Sequence, residues 1–213
     1  MDFSIIFNYE LKSLAKNSKS TVISLIFVSV LWGIFLSFNL LNYNQGMVSM
    51  IWIILFAFVA SSGFANASFA RERLSGSWEI LLASGVSRTD ILHAKLLFSQ
   101  TASFICGVLT FATAFLLTYI IWDFIPYIEL IPSLLLFICA TLSINIFTAY
   151  FTIININQRS AHLINMGIMS ACSTVAYFFP QAAALIMLIP AVPFLYLCKN
   201  SLYKDKTILP IVY

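Results

Sequence analysis

Few residues in this chain have side chains suited to chemistry, and many of those are gathered in one place. The stretch Phe69–Ile91, with Lys95 just beyond it, holds Arg71, Arg73, Arg88 and Lys95 from eleven basic residues, and Glu72, Glu79 and Asp90 from eight acidic ones. Ser77 is placed to cap a short helix through Trp78, Glu79, Ile80, Leu81 and Leu82, because its hydroxyl satisfies free backbone N–H groups. Gly85 suits the end of that helix. Ser87-Arg88-Thr89-Asp90 reads as a second helix start, with Asp90 in the reciprocal capping position. From there a helix can run unbroken into the apolar segment that follows. Trp78, Leu81 and Leu82 share one side of the first short helix, with Glu79 beside them. An apolar knob rimmed by charge is what a docking contact needs. The same residues also suit a helix lying on a bilayer surface, where aromatic side chains gather. Periodicity does not choose between the two.

Elsewhere reactive groups are scattered. Cys106, Cys139, Cys172 and Cys198 lie in or at the ends of different apolar segments, with no C-x-x-C pair, so reduced and buried thiols are expected. His93 and His162 stand on different elements without ligand spacing and read as structural or interfacial. No G-x-x-x-x-G-K-[ST] loop is present, and Gly-Lys never occurs, so ATP chemistry is not expected in this chain. No Ser/His pair, paired Asp or His/Glu metal set appears at a usable spacing, which argues against an intramembrane enzyme.

The elements that must position the polar stretch follow from composition. The chain of 213 residues is 61% hydrophobic and 9% charged, where soluble domains carry about 25% charged residues. A helical membrane span needs roughly 20 apolar residues, and backbone groups in hydrocarbon must pair within the span. Six spans are predicted: Thr21–Leu41, Met47–Ser68, Leu96–Trp122, Leu130–Ile156, Leu163–Phe179 and Ala182–Cys198. Pro180-Gln181 makes the turn between the last two, and Pro190 and Pro193 are positioned to break the final helix, so one member of the pair could be re-entrant. In this arrangement Lys12, Lys16, Lys19, Arg71, Arg73, Arg88, Lys95, Arg159, Lys199, Lys204 and Lys206 all fall on one side, and Asp123 and Glu129 on the other. Positive charge stays cytoplasmic, so both termini and the long loop are expected in the cytoplasm. The net charge of +3 is then a product of topology, and nucleic-acid binding is not expected.

Asp2 and the lack of a small-residue cleavage site argue against a cleavable leader. Phe3, Phe7, Leu11 and Leu14 fall on one helical face and Asn8, Lys12, Lys16 and Lys19 on another, which predicts an amphipathic helix in the cytoplasmic interface. The predicted spans carry no charge away from their ends, which argues against ion-driven transport. Asn39, Asn66, Gln100, Asn145, Asn155, Asn165 and Gln181 read chiefly as interhelical hydrogen-bond formers. Gln100 and Asn145 are the candidates for a substrate path. Small residues at Ala60, Ser61, Ser62, Gly63 and Ala67, and at Ala102, Ser103, Cys106 and Gly107, permit close helix packing within a chain or between two.

The polar stretch resembles the first cytoplasmic loop of the ABC type-2 permease family, the membrane subunits of ATP-binding-cassette exporters. The resemblance rests on Arg71-Glu72-Arg73, Gly76-Ser77-Trp78-Glu79-Ile80-Leu81-Leu82, Gly85-Val86-Ser87 and Ile91-Leu92-His93-Ala94-Lys95. The opening Phe7-Asn8-Tyr9-Glu10-Leu11-Lys12 and the span count are similar too. The resemblance implies one all-α transmembrane permease domain over residues 1–213, with an interfacial helix (1–19), a coupling loop (70–95) and a cytoplasmic tail (199–213). It implies that Gly76, Ser77, Trp78, Glu79, Leu81 and Leu82 form a coupling helix between spans two and three, with Arg71, Glu72 and Arg73 at its neck. That helix would dock on a separate ABC ATPase, which would carry ATP and magnesium. Two permease chains, alike or different, would work with two ATPases in the bilayer, in a bacterial plasma (inner) membrane.

The haem-exporter B subunit of cytochrome c maturation is similar in length, in Phe7–Leu11, in Phe69 and in Gly76–Leu81, but its proline-rich fifth span has no counterpart in Leu163–Phe179. A non-transporting scaffold or toxin-immunity protein would need no ATPase. An uncharged interior suits a lipid-like, amphipathic or hydrophobic cargo.

Overall fold

The computed structural model describes residues 2–17, 19–40, 46–70, 87–123, 127–154 and 158–203. Among them all regular structure is helical. Helix α1 covers Asp2–Asn17, α2 Lys19–Leu40 and α3 Gly46–Ala65, which ends in one π-helical turn, Asn66–Ala70. After the loop, α4 covers Arg88–Trp122, α5 Tyr127–Ile153 and α6 Gln158–Phe178. A 3₁₀ turn, Pro180–Ala182, leads into α7, Ala183–Leu188, and α8, Ala191–Tyr203.

Local chemistry sets several of these boundaries. Ser87 has extended backbone, and its side chain accepts from the Asp90 N–H at 3.1 Å. The second helix start therefore lies where the sequence places it. Helix α4 then runs 35 residues without a break. It begins well before the predicted Leu96, so Lys95 lies inside the helix. At its far end Asp123 adopts a left-handed conformation (φ 50°), and its N–H bonds to the Tyr119 carbonyl at 3.0 Å. Asp tolerates that conformation better than most residues. Pro180 opens the turn between α6 and α7, as predicted. Pro190 lies between α7 and α8, whereas Pro193 sits in the first turn of α8, where a helix makes no use of an N–H. The break is therefore at Pro190 alone.

Among the described residues three stretches are long and apolar enough to cross a membrane: Thr89–Ile121, Ile131–Ile153 and Pro180–Ser201. Val22–Phe38 and Met50–Ala65 are shorter apolar stretches. Helix α6 is 21 residues long but falls outside both groups, with Gln158, Arg159, His162 and Asn165 in its first half.

Helix α5 is the most buried of the long apolar helices and the hub of the packing, touching α3, α4, α6, α7 and α8. Helix α2 packs along α4 and α3 along α5. Aromatic rings run through the centre: Trp32 stacks on Phe56 (5.7 Å), Phe56 stacks on Phe137 (5.3 Å), and Phe111 meets Phe137 edge-on (6.1 Å). Small residues let the helices approach. A Cβ on Gly33 would lie 2.6 Å from the Thr110 carbonyl oxygen, and one on Gly107 would lie 2.3 Å from the Phe137 ring. A Cβ on Gly63 would lie 3.2 Å from Leu25 Cδ1, so both clusters of small residues are used, at least in part, inside one chain.

Helix α1 turns a narrow face toward the other helices. Its inward residues are Ile6 (3% exposed) and Glu10 (4%), four apart on one face. Leu11, from the predicted apolar face, is 46% exposed. Phe7 meets Phe98 of α4 edge-on at 6.1 Å. Asn8 and Lys12 face outward, in accord with the pattern.

Candidate coupling site at the base of the polar loop

The predicted coupling residues Gly76, Ser77, Trp78, Glu79, Leu81 and Leu82, and the neck residues Arg71, Glu72 and Arg73, lie outside the described residues. The two feet of the loop are described. One is the π turn Asn66–Ala70, and the other is Ser87 with the first turns of α4. A π turn has one residue too many for an α-helical hydrogen-bond ladder, and such turns are frequent at functional sites.

The feet are fastened together by a buried cation. Lys95 is fully buried, and its Nζ donates to the Glu10 carboxylate of α1 in an ion pair and to the Ser68 carbonyl of the π turn at 3.0 Å. Three elements distant in sequence thereby meet at one ammonium group. Phe69, Ile91, Leu92 and Ala94 of the two feet pack with Ile6 of α1 in one buried apolar cluster. A charge in such surroundings is tolerable only when paired and hydrogen-bonded. The π turn is held a second time, from α6. Asn66 Nδ2 lies 2.8 Å from His162 Nε2, so the amide donates to the imidazole, and Phe58 meets the His162 ring edge-on at 6.2 Å.

Deeper in the molecule the structure brings Gln100 and Asn145 together. Asn145 Nδ2 donates to Gln100 Oε1 at 2.9 Å, and Gln100 Nε2 donates to Thr141 Oγ1 at 3.0 Å. This ties α4 to α5. Asn165 Nδ2 donates to Thr148 Oγ1 at 3.1 Å and ties α6 to α5. The buried amide oxygens of Asn145 and Asn165 have no partner among the described residues. Serine and threonine hydroxyls complete the seams: Thr110 Oγ1 donates to the Ser29 carbonyl of α2 at 3.0 Å, and Ser61 Oγ to the Thr141 carbonyl at 3.3 Å. A separate cleft between α3 and α6, of about 380 Å³, is lined by Ile51, Leu55, Met166, Ser170, Thr174 and Tyr177 among others.

The sequence indicated the hydrogen-bonding role of the amides. It did not indicate the Lys95–Glu10 pair, whose members are 85 residues apart. The only available signal was that Lys95 sits at the edge of a long apolar run and Glu10 one turn from Ile6.

The distribution of polarity identifies the solvent. Ile120, Ile131, Leu163, Phe178, Ile189 and Val192 are among the large apolar side chains that face outward, while Ser29, Ser61, Ser99, Thr110, Thr141, Asn145 and Asn165 are buried. Water selects the opposite arrangement. Lipid permits this one, because polar groups find partners inside and apolar groups dissolve outside. A family model described as ABC-2 family transporter protein matches residues 5–213. The chain belongs to the ABC-2 transporter family. This ABC-2 protein is therefore an integral, multi-pass membrane protein and a permease component of an ABC transporter. No curated protein and no solved structure matches it significantly. The family match covers the feet of the loop, the loop itself and the Gln100–Asn145 seam.

Proposed function

We propose that this ABC-2 permease forms the membrane path of an exporter and is driven by a separate ABC ATPase that docks on the loop between α3 and α4. In this account the chain crosses the bilayer six times with both termini in the cytoplasm. Helix α1 lies in the cytoplasmic interface. Gly76, Ser77, Trp78, Glu79, Leu81 and Leu82 make the coupling helix, and Arg71, Glu72 and Arg73 its neck. Two permease chains work with two ATPases, which hold ATP and magnesium. Export and the bacterial plasma membrane follow from the resemblance of the loop and the opening helix to exporter subunits.

The observation that carries this proposal is the family match running unbroken through the charged loop. The physical logic is that of a biased equilibrium. A partner shifts a two-state membrane domain only through contacts that differ between the states. A loop with an apolar knob is a suitable handle for such a partner, and its feet must be firmly joined to the spans for displacement to reach them. Gln100 and Asn145 join the path if their seam opens in the alternate state, and the unpartnered Asn145 Oδ1 gives that seam one acceptor to offer a cargo. The cleft between α3 and α6 has the mixed apolar and hydroxyl lining that an amphipathic cargo requires.

Affinity purification of the tagged chain in mild detergent, with mass spectrometry of what accompanies it, tests the proposal. A P-loop ATPase is expected in the complex. A folded, monodisperse chain with no ATPase would overturn the proposal in favour of a scaffold or immunity role.

A further inference from the structure

We propose that Lys95 and Glu10 form a mechanical joint that makes α1 move as one body with both feet of the coupling loop. The inference rests on the docking of an ATPase on that loop and adds the route by which its force leaves the loop. It concerns positioning residues, since neither side chain is placed to touch cargo.

The geometry carries it in three steps. First, the joint lies where force must enter. The loop leaves the described structure at Ala70 and returns at Ser87, and Lys95 spans the two sides by donating to the Ser68 carbonyl from the second turn of α4. Second, the joint reaches a third body. Glu10 is on α1, which is separated from the loop in sequence by the whole of α2 and α3, yet its carboxylate is buried against the Lys95 ammonium. Third, the joint resists slipping. A surface ion pair exchanges partners with water at little cost. A buried one does not, because separating the charges forfeits their attraction while both stay desolvated. Displacement of the feet is therefore cheaper by carrying α1 along than by breaking the pair.

The π turn supplies the compliance. Its backbone departs from the α-helical ladder between the rigid body of α3 and the loop, so α3 can remain in place while the turn moves. Asn66, at the start of the turn, is tied to α6 through His162, which anchors the α3 end of the turn. The joint thus links the loop to α1 at the base of α4, whose far turns meet the aromatic core through Phe111.

The test uses the full permease with its co-purified ATPase in lipid nanodiscs. Spin labels are placed at exposed positions in a background with the four cysteines replaced, Tyr9 with His93 in one sample and Tyr9 with Tyr177 in another. In the parent protein the Tyr9–His93 distance is expected to stay narrow and unchanged on ATP–vanadate trapping, while the Tyr9–Tyr177 distance shifts. In the neutral pair Glu10→Gln with Lys95→Met, the Tyr9–His93 distribution is expected to broaden on trapping and the Tyr9–Tyr177 shift to be lost, with the ATPase still bound. Should the neutral pair not fold, Glu10→Asp keeps both charges, shortens the reach and is expected to broaden the same distribution. An unchanged Tyr9–Tyr177 shift and a narrow Tyr9–His93 distance in the variant overturn the joint while leaving ATPase docking intact. A parent protein that binds ATPase but shows no Tyr9–Tyr177 shift overturns it as well. A parent protein that binds no ATPase removes the docking proposal and the joint with it.

Discussion

Lys95→Met is expected to lower stability by about 3–5 kcal/mol, the cost of leaving one buried charge without its partner. The buried Glu10 carboxylate would lose the Lys95 ammonium, and the Ser68 carbonyl would lose a donor. Glu10→Gln with Lys95→Met removes both charges at nearly constant volume and is expected to recover most of the loss, because a buried pair replaced by neutral groups of similar size is often close to neutral. Denaturation followed by loss of monodispersity in mild detergent, on the parent, the single variant and the double variant, gives the comparison. A single variant as stable as the parent would mean that the pair is open to water. A double variant weaker than the single would mean that the two side chains act independently. Residues in direct contact are expected to be non-additive, so the sign of the coupling is itself informative.

The second large effect is at Gly107. An added Cβ would lie 2.3 Å from Phe137 Cε1 and 2.8 Å from Cδ1, closer than carbon atoms can approach. The ring has little room to retreat, since it is fully buried between Phe56 and Phe111. Gly107→Ala is therefore expected to cost about 1–3 kcal/mol through overpacking, measured as a fall in the same denaturation midpoint. Phe137→Leu in that background opens space beside the new methyl and is expected to restore part of the loss. Gly167 is the control: its added Cβ meets nothing within 4 Å, so Gly167→Ala is expected to be neutral or slightly stabilising through helix propensity. Equal losses at Gly107 and Gly167 would contradict the packing of α4 against α5.

What the sequence revealed and what it hid have a common physical reason. Punctuation was legible because it is local: Ser87 opens α4, Pro180 opens the turn after α6, and Pro190 separates α7 from α8. The role of Gln100, Asn145 and Asn165 as hydrogen-bond formers was legible because unpaired amides are costly away from water. The inward face of α1 was not. Amphipathic periodicity assigns the apolar side of a helix to the protein, which holds where water is the alternative. Where lipid is the alternative, apolar residues gain little from facing inward. Leu11 can then remain half-exposed while Glu10 turns toward Lys95. The same reason hides Lys95 in a charge count. By sequence it belongs to the polar loop, and by structure it is a buried contact of α4.

The division of charge along the chain acquires a sharper meaning from this. Ten of the basic residues remain available to orient the chain across a membrane if Lys95 is set aside as a structural cation paired with Glu10. The segregation predicted from the sequence does not depend on it.

The central claim is that the loop between α3 and α4 is the handle of an ATPase. A photo-reactive amino acid at position 78, in place of Trp78, tests it in native membranes, with and without Glu79→Arg. The account predicts a cross-linked adduct containing a P-loop ATPase, greatly reduced by Glu79→Arg while the chain itself is present at normal level. Adducts with lipid alone, or an ATPase adduct indifferent to Glu79→Arg, would contradict it and return Trp78 to the bilayer surface.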